Sequence, residues 1–130
     1  MARLSSLYDE FAAALQFPYY FGENWNAFSE CITDLEWITG DVYVLVITDS
    51  KKVLAEESND QLEALINVLE AAGSEWSHPV ENSQAWDRPG VAFHVIFQCD
   101  EPDKQAVISR LESVGASFHE IFITGEPLTE

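Results

Sequence analysis

The chain has 130 residues, 47% of them hydrophobic, and 6 Lys+Arg stand against 23 Asp+Glu for a formal net charge of −17. That length suits one domain, and the apolar share is that of a chain folding around its own core, which excludes a disordered acidic tail. The longest apolar runs, such as Val42 to Ile47, fall far short of the roughly 20 residues a transmembrane helix needs.

The first helix is expected from about Ser6 to Gln16, with Leu7, Phe11, Ala14 and Leu15 at helical spacing. Ser5 or Ser6 can cap it, and Asp9 and Glu10 then fall in the first turn, where the helix dipole favours anions. Pro18 ends it and opens an aromatic connection, Phe17-Pro18-Tyr19-Tyr20-Phe21-Gly22. A second helix, about Asn24 to Leu35, would turn Trp25, Phe28, Cys31, Ile32 and Leu35 to the core. Val42 to Thr48 is a near-continuous β-branched run, which predicts a strand buried on both faces. Asp49-Ser50 can cap a short helix through Val53-Leu54. Ser58-Asn59-Asp60 caps a longer one, with Leu62, Leu65, Ile66 and Leu69 on one face and Gly73 as its stop. Residues 74–90 form a long irregular connection. Val91 to Gln98 is the second strand. Pro102 suits the first turn of a helix capped by Asp100, running through Val107, Ile108 and Leu111 to Gly115. Phe118 to Thr124 predicts a third strand, followed by a tail. The order implies an α/β fold: a small, mostly parallel three-stranded sheet packed with helices, in one domain over 1–130.

The acid is spread along the whole chain. Binding a polyanion needs clustered cations, and only Lys51-Lys52 are adjacent here, so no nucleic acid and no membrane surface is an expected partner. A basic protein partner fits, with association accelerated by long-range attraction. Acidity that only maintains solubility fits as well. Met1 to Ser6 shows no export signal and two cysteines make no disulfide framework, so a cytoplasmic setting is expected.

No catalytic constellation emerges. The histidines, His78, His94 and His119, are not at metal-ligand spacing with Cys31 or Cys99. No phosphate-cradling glycine loop or nucleophile elbow is present. Cys31 lies on an apolar helix face and reads as a packed thiol. The expectation is a protein that is not an enzyme and uses no cofactor or metal.

The informative stretch is Phe17 to Ile32. Gly22 offers a positive-φ position after the tyrosines, and Asn24 can cap the second helix or tie down the turn. Asn26, Ser29 and Glu30 are i, i+3 and i+4 and share one helix face beside Tyr19 or Tyr20. Rigid tyrosines beside a helix-borne carboxylate make a protein-recognition surface. Aromatics buried in a core, with Glu30 merely solvated, would give the same residues.

The run Pro18-x-Tyr20-Phe21-Gly22-x-Asn24-Trp25-Asn26-Ala27-Phe28-x-Glu30-Cys31-Ile32 resembles the signature of the barstar family, intracellular inhibitors of barnase-type ribonucleases. The resemblance is sharp over Leu7 to Trp37 and pattern-level onward to Gln98. It implies a barstar-like two-layer fold and an inhibitor or immunity protein that occludes a basic, barnase-like or other toxic nuclease. Carried over, the turn tyrosine is Tyr20, the glycine Gly22, the asparagine Asn24 and the phosphate-mimicking carboxylate Glu30. Tyr19, Trp25, Asn26, Ser29 and Asp34 complete the expected partner-binding set, although Trp25 can equally be core. Glu30 stands where the best-known members carry Asp, Asn26 replaces an acid and Ser29 an aromatic, which implies a different cognate nuclease. A barstar-like domain with a non-nuclease partner is the alternative. Family members usually start with a strand, whereas only Met1 to Leu4 precede the first helix here, and the helix–strand unit over about 100–124 could supply a replacement.

Overall fold

A computed structural model describes residues 1–18, 21–35, 38, 41–79 and 89–121. Helix α1 (Leu4–Leu15) buries Leu7, Tyr8 and Phe11 and ends on Gln16 in a left-handed conformation. It starts before both serines expected to cap it, and its N-cap residue, Arg3, makes no side-chain capping bond. The orphan N–H of Leu4 instead donates to Glu57 Oε1 at 3.3 Å. Asp9 and Glu10 therefore lie beyond the first turn. A distant carboxylate supplies the anion that a helix N-terminus favours.

Helix α2 (Trp25–Asp34) buries Phe28, Cys31 and Ile32 and closes on Leu35 in the left-handed region. Strand β1 (Val42–Ile47) pairs in parallel with β2 (Ala92–Phe97), in a register running from Val42 opposite Ala92 to Ile47 opposite Phe97. Among the described residues the sheet has these two strands. Alternation sends Tyr43, Leu45 and Ile47 inward with Phe93, Val95 and Phe97. Val42, Val44 and Val46 point the other way and are more than half exposed. The strand is thus buried on one face only, against the expectation from its β-branched run, because the described helices all pack on the inner side.

Between the strands, a 3-10 turn (Ser50–Lys52) and α3 (Asn59–Ser77) form the crossover. Helix α3 continues through Gly73, where a stop was expected. Its buried stripe of Leu62, Leu65, Ile66, Leu69 and Ala72 extends to Trp76, which rewards keeping the helix intact past the glycine. At Gly73 the helix crosses β2, and an added Cβ would sit 3.8 Å from the Phe93 ring. Most of the connection expected over 74–90 is consequently helix (to Ser77) or lies outside the described residues (80–88).

A 3-10 turn (Glu101–Asp103) containing Pro102 leads into α4 (Lys104–Ser113), and Asp100 makes no side-chain cap. Val107 and Leu111 join the same core as Leu7, Phe28, Ile32 and Leu65. Arg110 donates to the carbonyls of Lys51 (3.1 Å) and Val53 (2.7 Å), so α4 clamps the chain just after β1. The expected third strand is not formed in its described part: residues 118–121 are unpaired backbone, with 122–124 outside the described residues. Ser117 N–H donates to Glu70 of α3 and Glu120 pairs with Lys104 at 3.4 Å, which holds this segment against the helices.

Candidate functional site

The approach to α2 is built by short-range bonds. Phe21 N–H donates to the Pro18 carbonyl at 2.9 Å. Asn24 Oδ1 accepts from Ala27 N–H at 2.8 Å, the N-cap bond, while its Nδ2 donates to the Gly22 carbonyl at 3.1 Å. One side chain thereby ties the turn to the helix it starts. The left-handed residue of this turn is Glu23, at φ 48°, rather than Gly22. Gly22 matters for space: a Cβ there would lie 3.1 Å from Asn24 Nδ2 and press on the capping amide.

Behind α2 lies an aromatic cluster. Trp25 stacks edge-on against Tyr8 (5.4 Å between centroids) and Phe28 (5.4 Å), and Phe17 against Phe21 (5.1 Å) and Phe28 (5.9 Å). Such T-shaped contacts fix ring positions as well as burying area. Two indole N–H groups then tie α2 to α3. Trp25 Nε1 donates to Gln61 Oε1 and Trp76 Nε1 donates to the Ile32 carbonyl, each at 2.9 Å. These bonds hold both ends of α2, so its outer face is a rigid ledge. Neither bond was foreseen from the sequence, although Trp76 continues the apolar stripe of α3 and was visible in that register.

On the ledge, Asn26 and Glu30 are exposed and Ser29 is half-buried, one turn apart as the i, i+3, i+4 spacing requires. Thr33 continues the face, its hydroxyl donating to the Ser29 carbonyl at 2.8 Å. Asp34 is exposed at the end of the helix. Trp25 is half-buried, with ring and N–H both engaged inward. Tyr19 and Tyr20, together with Glu36 and Trp37, lie outside the described residues. Of the expected set, then, Asn26, Ser29 and Glu30 share one face, Gly22 and Asn24 shape its entry, Asp34 ends it, and Trp25 supports it from behind.

The site's titratable groups have defined surroundings. A hydrogen bond with Asp9 and the charge of that carboxylate raise the Glu23 pKa. Burial, then the nearby Glu23 charge, raises that of Tyr8. Burial pushes the Cys31 thiol up, and Asp34 and Glu30 push it further. A buried thiol held protonated between carboxylates is no nucleophile. Among the described residues no three His, Cys, Asp or Glu side chains gather as a metal site, and no helix is long and apolar enough to cross a membrane.

The family model described as "Barstar (barnase inhibitor)" matches residues 1–98. The match spans both helices of the site and both strands, and three quarters of the chain, so the chain belongs to the barstar family. No curated protein and no solved structure matches it.

Proposed function

We propose that this member of the barstar family is an acidic inhibitor, or immunity protein, that places the outer face of α2 in the active site of a basic nuclease. The observation that carries the reading is the ledge itself: Glu30 and Asn26 exposed on a helix that two indole bonds and an asparagine cap hold rigid. A nuclease site presents cations arranged for a phosphodiester. A carboxylate on a rigid support satisfies those cations with charge-assisted hydrogen bonds and loses little side-chain entropy in doing so. Glu30 is the phosphate surrogate. Asn26 and Ser29 contact the rim, Gly22 and Asn24 set the turn, and Asp34 extends the negative field. Tyr19 and Tyr20 are proposed as partner contacts from the resemblance alone. The net charge of −17 steers encounter with a basic partner. The mechanism is occlusion, with no cofactor and no bond made or broken, and two free thiols suit action in the cytoplasm.

The presence of Asn26 and Ser29 on the ledge, one neutral and one short, also supports a non-nuclease protein partner for the same face. Activity assays of basic barnase-type ribonucleases with and without the chain separate the two readings. Inhibition that Glu30→Ala weakens supports occlusion. Loss of one or more charge-assisted hydrogen bonds costs about 1.5–3 kcal/mol, roughly 10- to 150-fold in Kd. Inhibition unchanged by Glu30→Ala removes Glu30 from its role.

A further inference from the structure

The ledge carries its charge at one end. Asn26, near its start, is neutral, whereas Glu30 and Asp34, both exposed, are i and i+4 on α2. That spacing puts their Cβ atoms about 5–6 Å apart on one side of the helix. Both charges reach the Cys31 thiol and raise its pKa. Within the free chain this pairing is unfavourable. Like charges at i, i+4 repel. Asp34 also stands in the last turn, where the helix dipole disfavours an anion and no basic residue offsets it. None of the ion pairs among the described residues includes either carboxylate.

Cations supplied from outside account for the arrangement. Successive phosphates of a nucleic-acid strand rise about 3.4 Å along a duplex axis and wind around it, which leaves neighbours roughly 6–7 Å apart in a straight line. Two carboxylates one helical turn apart, spread by their own repulsion, match that gap. We propose that Glu30 and Asp34 together stand in for two consecutive phosphates, so that the partner is an endonuclease with one cationic seat for the scissile phosphate and a second for its neighbour on the strand. The proposal rests on the occlusion reading above and narrows it. An enzyme that grips a single terminal phosphate has no seat for Asp34. Asn26 then faces a part of the cleft where no cation needs a counter-charge. The repulsion within the pair is offset on binding, because each carboxylate meets its own cation.

The test combines dissociation rates, measured by surface plasmon resonance from a basic barnase-type endoribonuclease that the chain inhibits, with urea midpoints of the free chains. Asp34→Asn should dissociate about tenfold faster, since charge-assisted hydrogen bonds inside an interface act on the off-rate. Its urea midpoint should rise above wild type as the repulsion and the dipole conflict disappear. Glu112 is an exposed acid on α4, and Glu112→Gln removes the same unit of charge while leaving the dissociation rate within about twofold. An Asp34→Asn rate as close to wild type as that of Glu112→Gln overturns the proposal, and the occlusion reading stands if Glu30→Gln still dissociates faster. Glu30→Gln and Asp34→Asn both without effect overturn that reading as well. Asn26→Ala dissociating faster than Asp34→Asn overturns the proposal, because the charged seats then lie at the other end of the ledge. A faster Asp34→Asn rate with a lowered midpoint also overturns it, since Asp34 then acts by holding the helix.

Discussion

Trp76→Phe isolates one bond that keeps the ledge in place. Helix α2 ends at Asp34, so the Ile32 carbonyl falls among the last four, which lack helical donors. The Trp76 indole N–H fills that vacancy at 2.9 Å, and both residues are nearly inaccessible, Ile32 at 0% and Trp76 at 3%. Water cannot replace the lost donor. Phenylalanine keeps an aromatic against Tyr43, now 4.9 Å from the Trp76 ring, but leaves the carbonyl unsatisfied and a void where the second ring was. The orphaned acceptor and the void together cost about 2–4 kcal/mol. Trp25→Phe breaks the companion bond to Gln61, but both partners are half-buried, and water can substitute there. Its cost falls below about 1.5 kcal/mol. Urea unfolding followed by circular dichroism reads both as midpoint shifts at constant slope. A Trp76→Phe midpoint as close to wild type as that of Trp25→Phe would refute the claim that the Ile32 carbonyl depends on the indole.

Further outcomes follow from single contacts. Glu23 has a raised pKa in the folded state, so at this group the native form binds more protons than the unfolded chain between the two values, and the contribution of Glu23 to stability grows as pH falls through the carboxylate range. Glu23→Gln should remove that part of the slope and raise the midpoint at pH 7, read from urea titrations of variant and wild type at several pH values; an unchanged slope contradicts the Asp9 contact. Cys31 and Cys99 both have raised thiol pKa values, burial being the leading cause for each. Both should react slowly with a disulfide reagent at pH 7.5, Cys31 the slower, and rapidly in denaturant; fast reaction of Cys31 in the native protein would be inconsistent with its packing. Arg110→Leu leaves the Lys51 and Val53 carbonyls without their guanidinium donor, costing about 1–3 kcal/mol, and a neutral result would mean that α4 does not secure the turn after β1.

Much of this fold is written in local patterns. The spacing of Leu7 and Phe11, of Phe28, Cys31 and Ile32, and of Leu62, Leu65, Ile66 and Leu69 placed three helices, and two β-branched runs placed the parallel strands. Asn24 was legible as a cap because its chemistry acts within three residues. What stayed hidden depended on distant partners. Glu57 replaces the expected serine cap of α1, and Gln61 and Trp76 fix α2 from another helix. The run Val42 to Ile47 suggested two buried faces, but what lies on each side of a strand is set by the other layers, and its own composition does not specify them. Gly73 carried a helix-stop signal that the burial of Trp76 outweighs. The segment from Phe118 has strand composition, yet Lys104 and Glu70 hold its start against helices. In the candidate site, the i, i+3, i+4 face of Asn26, Ser29 and Glu30 was readable from spacing, whereas the rigidity of that face was not.

The most direct test of the ledge is hydrogen exchange of the chain alone and bound to a basic nuclease that it inhibits. Occlusion through α2 predicts slowed exchange concentrated in residues 24–34, with that protection weakened in Glu30→Ala and no change across β1. Unchanged exchange over 24–34, with protection elsewhere, would contradict it.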